Sequence, residues 1–268
     1  MATRGFIDSD SEHIYFECWG NEGEPVLLGH GLGGSHATWY QQVAFLSAHY
    51  RVITWDQRGF GRSTRSSGEI GPVPAVRDMA QLLNHLSIDR AHIVGQSMGG
   101  WSAFGFAIAN PERVLSLVLA DTTAGIFTDE IRRTLDDYGQ TISSMVPPDQ
   151  MPLGYHPAIG TQLVKEDLPK AFLYSQLGSL TDPPEPMEIM PLLMSTDHTE
   201  GASLVGAPTL FVVGENDPIF SPQLIESAAK FVDRSEVAVV ENTGHSPYFE
   251  RPGPWNDIVA TFLRQSAR

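Results

Sequence analysis

Ser97 is the residue of this 268-residue chain whose type and setting point most directly to covalent chemistry. It stands in Gly95-Gln96-Ser97-Met98-Gly99, the pattern G-x-S-x-G. The apolar run Ala91-His92-Ile93-Val94 precedes it, and the small-residue stretch Gly100–Ala107 follows with helical character. A strand that becomes a helix over a single residue makes a sharp corner, and flanking glycines let other backbone approach it closely. A serine at such a corner stands clear of the sheet and can serve as a nucleophile. The same letters also describe a glycine-flanked serine cap of a helix, so the motif needs companions.

A serine hydroxyl is a weak nucleophile until a base takes its proton and a third group orients that base. Gly244-His245-Ser246-Pro247 follows the last strand-like run and offers His245 as the base. Phe211-Val212-Val213-Gly214-Glu215-Asn216-Asp217 is a buried run, a glycine turn and then Asp217, which can accept the imidazole Nδ1–H. Glu215 is two residues nearer the strand and suits a cap or a solvent-facing position. Asp121, after Val118-Leu119-Ala120, is a competing acid at a different strand end. A developing oxyanion needs backbone donors. Met98 N–H is one candidate, and Leu32 N–H in the glycine-rich turn His30-Gly31-Leu32-Gly33-Gly34 is the other. That turn lacks the Lys-Ser/Thr and the spacing of a phosphate-binding loop.

These residues are useful only if the fold brings strand ends to one rim. Strand-like runs occur at His13–Trp19, Pro25–Gly29, Tyr50–Trp55, His92–Val94, Val114–Leu119, Thr209–Val213 and Val237–Val240. Helical patterns lie between them, at about Trp39–Ser47, Val73–Leu86, Met98–Ala109, Gln223–Phe231 and Trp255–Arg264. Fully apolar strands alternating with helices imply a mostly parallel sheet covered on both faces, and the more alternating early strands imply an antiparallel edge. In a parallel sheet the carboxyl ends share one rim, so Ser97, Asp217 and His245 can meet despite their separation.

The alternation stops between about Thr122 and Val205. This stretch is rich in Met, Pro and acidic residues, with helical pieces near Thr128–Met145, Gly160–Leu177 and Glu185–Ser195, punctuated by Pro147-Pro148 and Pro183-Pro184. It is too long for a simple crossover and reads as a helical cap, residues 123–205, over a core of residues 1–122 and 206–268. Met145, Phe172, Leu173, Tyr174, Met187, Met190, Leu192 and Met194 give it adaptable apolar side chains, which suit either a pocket or the cap's own core.

Composition narrows the partners. The net charge of −15 disfavours nucleic acid and anionic membrane, and no apolar run is long enough to span a bilayer. The amino terminus lacks a secretory apolar stretch, and Cys18, the single cysteine, permits no internal disulfide and reads as a packed hydrophobe. Both features suit a cytoplasmic protein. The nine histidines show no metal-ligand spacing, so neither a metal nor another cofactor is expected. The expected partner is a small-molecule substrate; the oligomeric state stays open, a homodimer being one option.

Together the motifs resemble the α/β-hydrolase fold family. The shared features are the H-G-x-G-G turn (His30 to Gly34), Asp-x-Arg-Gly-x-Gly-x-Ser (Asp56 to Ser63), G-x-S-M-G-G (Gly95 to Gly100), G-x-x-D (Gly214 to Asp217) and Gly244-His245, in the family order Ser…Asp…His. The resemblance implies a mostly parallel eight-stranded sheet flanked by helices, with a helical cap inserted after the sixth strand. It implies Ser97 as nucleophile, His245 as general base and acid, Asp217 as orienter, and Leu32 and Met98 as the oxyanion hole, with Asp56 and Arg58 structural. Serine at the corner argues against the dehalogenase and epoxide-hydrolase members, which use Asp there. Esterases, lactonases and the C–C hydrolases of meta-cleavage products keep Ser. The last group typically has Trp after the catalytic Gly-His, where this chain has Ser246-Pro247-Tyr248-Phe249. The expectation is therefore an esterase or lactonase acting on a small to medium, largely apolar substrate. A C–C hydrolase is the alternative; a cofactor-free perhydrolase and a ligand receptor on the same scaffold are lesser ones.

Overall fold

Runs of Val, Ile and Leu form the strands because both faces of the sheet are covered and branched side chains pack well on a pleated surface. The computed structural model describes residues 2–143, 151–180 and 182–266. The strands are β1 (Thr3–Ser9), β2 (Glu12–Trp19), β3 (Pro25–Gly29), β4 (Arg51–Trp55), β5 (Ala91–Gln96), β6 (Val114–Ala120), β7 (Thr209–Gly214) and β8 (Ser235–Val240). They form one eight-stranded sheet in the order β1-β2-β4-β3-β5-β6-β7-β8. β1 pairs antiparallel with β2, and β2 with β4; every other pairing is parallel. The antiparallel edge is thus present. β1 was not among the runs singled out above: its polar, Gly-containing sequence lies on an edge, where pairing with β2 decides what propensity leaves open.

Side chains alternate between two cores. Leu27, Ile53, Ile93, Leu117, Leu119, Phe211 and Val213 face one side, against α2 (Pro72–His85), α3 (Met98–Ala109) and α8 (Pro222–Ala229). Val26, Leu28, Val52, Val94, Val118, Leu210 and Val212 face the other, against α1 (Tyr40–Leu46) and α10 (Pro252–Ser266). α3 is buried almost all round, as its apolar and small residues require of a helix pressed into the sheet.

Between β6 and β7 the chain forms α4 (Asp129–Ser143), α5 (Thr161–Glu166), α6 (Leu168–Ser179) and α7 (Pro186–Ser195). The single helix expected over Gly160–Leu177 is in fact two. Asp167 ends α5, and its side chain caps α6 by accepting from Lys170 N–H at 3.0 Å, with Pro169 in the first turn. Met145 and Pro147-Pro148 lie outside the described residues. This insertion sits over the carboxyl rim of the sheet. A Cβ at Gly178 would lie 3.2 Å from the Gly33 carbonyl oxygen, and one at Gly59 would lie 3.1 Å from Pro184. Ile131, Leu135, Ile189 and Leu193 extend one core, and Ile159, Leu163 and Ala171 the other. Among the described residues no helix is long and apolar enough to cross a membrane.

Candidate active site

β5 ends at Gln96, and α3 begins at Met98, so Ser97 alone makes the turn, with φ +49° and ψ −120°. That conformation is costly for a residue with a Cβ. It is held by Ser97 N–H donating to the Ala120 carbonyl at 2.9 Å and by Gly100 N–H donating to the Ser97 carbonyl at 2.8 Å. The glycines have a steric purpose. A Cβ at Gly95 would run into the Gly99 carbonyl oxygen, and one at Gly99 would sit 2.6 Å from the carbonyl oxygens of Gly29 and His30. Helix and sheet therefore approach more closely than any side chain would allow.

His245 Nε2 lies 3.0 Å from Ser97 Oγ, and its Nδ1 lies 2.8 Å from Asp217 Oδ2. A carboxylate beside Nδ1 requires that nitrogen to carry the proton, which leaves Nε2 with its lone pair toward the serine. Asp217 Oδ1 accepts from Ile219 N–H at 2.7 Å and Phe220 N–H at 3.1 Å, so the carboxylate is fixed on both oxygens. His245 and Asp217 are buried, while Ser97 is partly open. Gln96 Nε2 donates to the His245 carbonyl at 3.0 Å, tying the histidine loop to the strand that carries the serine. Glu215 is exposed and accepts from Asn242 N–H at 2.9 Å, a loop-closing bond away from the histidine ring.

The loop after β3 presses against the serine: a Cβ at Gly31 would lie 3.1 Å from Ser97 Cβ. His30 sets its shape. Gln57 N–H donates to His30 Nε2 at 3.0 Å, so Nδ1 carries the proton and donates to the Gly31 carbonyl at 2.8 Å. Full burial holds the imidazole below its ordinary range, and it stays neutral in this role. Leu32 follows in the same loop, half-buried, and Met98 opens α3, where backbone N–H groups lack an intrahelical acceptor. Asp56 and Arg58 are framework. Asp56 accepts from His36 N–H and Arg62 N–H, and Arg58 makes two 2.7 Å bonds to buried Asp78.

Sequence reasoning passed over Glu250 and read Tyr174 only as an apolar side chain of the insertion. Glu250 closes α9 (Pro247–Glu250), the short helix after His245. Its buried carboxylate accepts from Gly244, Ser246 and Gly160 N–H groups, at 3.0, 3.3 and 3.0 Å. Burial pushes this carboxyl up, and the three N–H bonds act against that rise. Tyr174 of α6 hydrogen-bonds the Ser246 hydroxyl at 2.8 Å. No motif marks either contact across the fold, because Gly160 for Glu250 and Ser246 for Tyr174 lie in distant segments. A cleft of about 590 Å³ runs between the insertion and the loops after β7 and β8, lined by Tyr138, Tyr155, His156, Asn216, Pro218 and Thr243 among others. Ser97 does not line it; Asn216 and Pro218 place it beside the acid, and Thr243 beside the histidine loop.

A family model described as the alpha/beta hydrolase fold matches residues 24–252. The chain belongs to the alpha/beta hydrolase family. It is 30% identical over 271 residues to the RutD protein of Pantoea ananatis, provisionally named a carbamate hydrolase, covering 95% of this chain and 94% of that one. The esterase of Thermogutta terrifontis superposes with a TM-score of 0.80 at 27% identity, over 99% of this chain and all of the other. The enol-lactonase of Burkholderia xenovorans LB400 does so at 0.79 and 20% identity, over 97% and 100%, a likeness of fold alone. The chain is accordingly a hydrolase by family.

Proposed function

We propose that this hydrolase cleaves carboxylic esters or lactones of small to medium, largely apolar substrates through an acyl-enzyme on Ser97. The observation that carries the reading is the hydrogen-bonded chain Ser97–His245–Asp217, built on a strained corner that holds the serine clear of the sheet. His245 Nε2 takes the Ser97 proton as Oγ attacks the carbonyl carbon, and Asp217 balances the imidazolium. The N–H groups of Met98 and Leu32 receive the oxyanion. The imidazolium then protonates the leaving alkoxide, and His245 activates water to release the acid.

The substrate is uncharged on this reading. Of the cations in the insertion, Arg132 pairs with Asp197 and Lys170 Nζ donates to the Glu250 carbonyl. Arg133 and Lys165 face solvent. That leaves little to hold the acidic product of an aromatic ring cleavage. The insertion acts as the cap, a reading supported by its closeness to the Gly33, Gly59 and Gly244 loops. The likeness to RutD favours a carbamate carbonyl as the second substrate class, since the same serine attack applies. Ser97→Ala is expected to abolish the burst of p-nitrophenol from a p-nitrophenyl ester and to lower turnover by about a thousandfold or more, with folding unchanged. A Ser97→Ala protein that still turns over would overturn the assignment.

A further inference from the structure

Asp121 lies beside the acid of the proposed triad, yet nothing in the reaction written above uses it. It follows β6 in a left-handed conformation, φ +51°, and is fully buried. Its N–H donates to the Val212 carbonyl at 2.8 Å, and its Oδ1 accepts from Gly214 N–H at 2.9 Å, so it stitches the ends of β6 and β7 together. Its second oxygen, Oδ2, is buried without a hydrogen-bond partner. A donor atom from each of Asp121, Asp217 and His245 lies within 4.8 Å of the others. Two carboxylates this close, both shielded from water, cannot both be ionised at modest cost.

The hydrogen bonds decide which one keeps a proton. Asp217 receives three donors: His245 Nδ1–H, Ile219 N–H and Phe220 N–H. Each favours its charged form. Asp121 receives one, and its other oxygen has none. We propose that Asp121 is a neutral carboxylic acid whose Oδ2–H points to the Asp217 carboxylate, making it a positioning residue that extends the triad to four members. Burial, and then the negative charge of Asp217, raise the Asp121 carboxyl well above the usual range. Glu250, on α9, adds a smaller push in the same direction, and the phenols of Tyr174 and Tyr248 face the site uncharged. The shared proton spreads the Asp217 charge over the pair. The pair keeps one net negative charge to balance the imidazolium. No proton leaves Asp121 during turnover.

This inference rests on the Ser97–His245–Asp217 reading, and the test separates the two. Infrared difference spectra of wild-type protein minus Asp121→Asn at neutral pH, with and without carbon-13 aspartate, should show the carbonyl stretch of a protonated carboxyl. In kinetics, Asp121→Ala removes the donor to Asp217: turnover of a p-nitrophenyl ester should fall about tenfold, and the acid limb of kcat/KM should move up by about half a unit. Asp121→Asn keeps a donor and an acceptor and should restore most of the turnover with the limb in its wild-type place. The proposal is overturned if the carboxyl band is absent. It is equally overturned if Asp121→Asn moves the limb down by about a unit, as loss of a true charge would, or if Asp121→Ala matches wild type in both rate and limb. Should Asp121→Ala fail to fold, the infrared spectrum and Asp121→Asn still decide. A Ser97→Ala protein that remains active defeats the nucleophile assignment alone, because the carboxyl band belongs to the resting protein.

Discussion

The carboxyl rim of the sheet and the insertion that covers it are held by different kinds of interaction. At the rim, buried polar side chains are held by short hydrogen bonds, although Arg58 Nη1 and Asp121 Oδ2 make none. Arg58 is locked to Asp78 with both side chains out of water, His30 has both ring nitrogens engaged, and Asp217 accepts three hydrogen bonds. In the insertion, ion pairs lie in solvent, as for Arg132–Asp197, whose side chains are each 43% exposed. Large apolar side chains such as Leu153, Leu180 and Met187 also stand largely in water. A rim built this way holds its side chains in fixed places; on the proposed function the insertion could change composition, and with it substrate preference, at little cost to the rest.

The sharpest way to break that contrast is Arg58→Ala. It leaves the Asp78 carboxylate buried without its partner, and such a loss typically costs about 3–5 kcal/mol. Chemical denaturation should show a fall of that size with no new intermediate. A loss below about 1 kcal/mol, the usual worth of an exposed pair, would mean that the rim is no stiffer than the insertion.

Glu250→Ala attacks the seam between the two regions. Its carboxylate holds the loop on both sides of His245 and also the Gly160 N–H of the insertion. Removing it orphans buried donors at about 1 kcal/mol or more each, so a loss of about 3 kcal/mol is expected. Turnover should fall with it, because His245 loses its support. Unchanged turnover in a protein destabilised by that amount would show that the seam carries stability but does not position the histidine.

The same contrast explains what could be read from the sequence. Ser97, His245 and Asp217 sit in short local patterns, each a strand, a tight turn and one polar residue, and the glycines are dictated by backbone contacts close in space. The β5 turn and α3 were legible for that reason, down to the boundary at Met98. Glu250, the hydroxyl contact of Tyr174 and the second role of Asp121 were not, because each depends on partners from other segments: Gly160 for Glu250, Ser246 for Tyr174, Gly214 and Asp217 for Asp121. The break at Asp167 was missed because helical periodicity runs through it, although Asp167 as a cap and Pro169 two residues on mark the new start. β1 was missed because only Ile7 and Ser9 of its residues are buried, which leaves little apolar trace in a polar, Gly-containing run.

His156 offers a smaller test, by pH. It lines the cleft from the insertion side, and its Nδ1 accepts from Ala158 N–H at 3.0 Å. Burial first, and then the neighbouring His245, lower its pKa to about 4. The folded-state value is depressed, so the contribution is fully present above the unfolded value of about 6.5 and is lost as pH falls through about 4. Asparagine can keep the Ala158 bond and does not titrate. Wild type should lose about 2 kcal/mol more than His156→Asn between pH 7 and pH 4. Parallel stability curves for the two proteins would place His156 in open solvent and remove it from the cleft wall.

The smallest effect belongs to Arg132→Ala, and its smallness is the point. Arg132 joins the first helix of the insertion to Asp197 near its end, and its guanidinium lies 4.2 Å from the centre of the Phe127 ring. The ion pair is exposed, and the half-exposed guanidinium covers a buried ring, so together they should contribute about 1 kcal/mol, and the ionic part should fade as salt is raised. Measured beside Arg58→Ala at low and high salt, the two arginines form one experiment. The rim variant should lose several times more stability, with little salt dependence, while the insertion variant should approach wild type at high salt. A salt-insensitive loss of about 3 kcal/mol at Arg132 would show that the insertion is tied down as firmly as the rim. In that event substrate preference could not be retuned there without cost to the core.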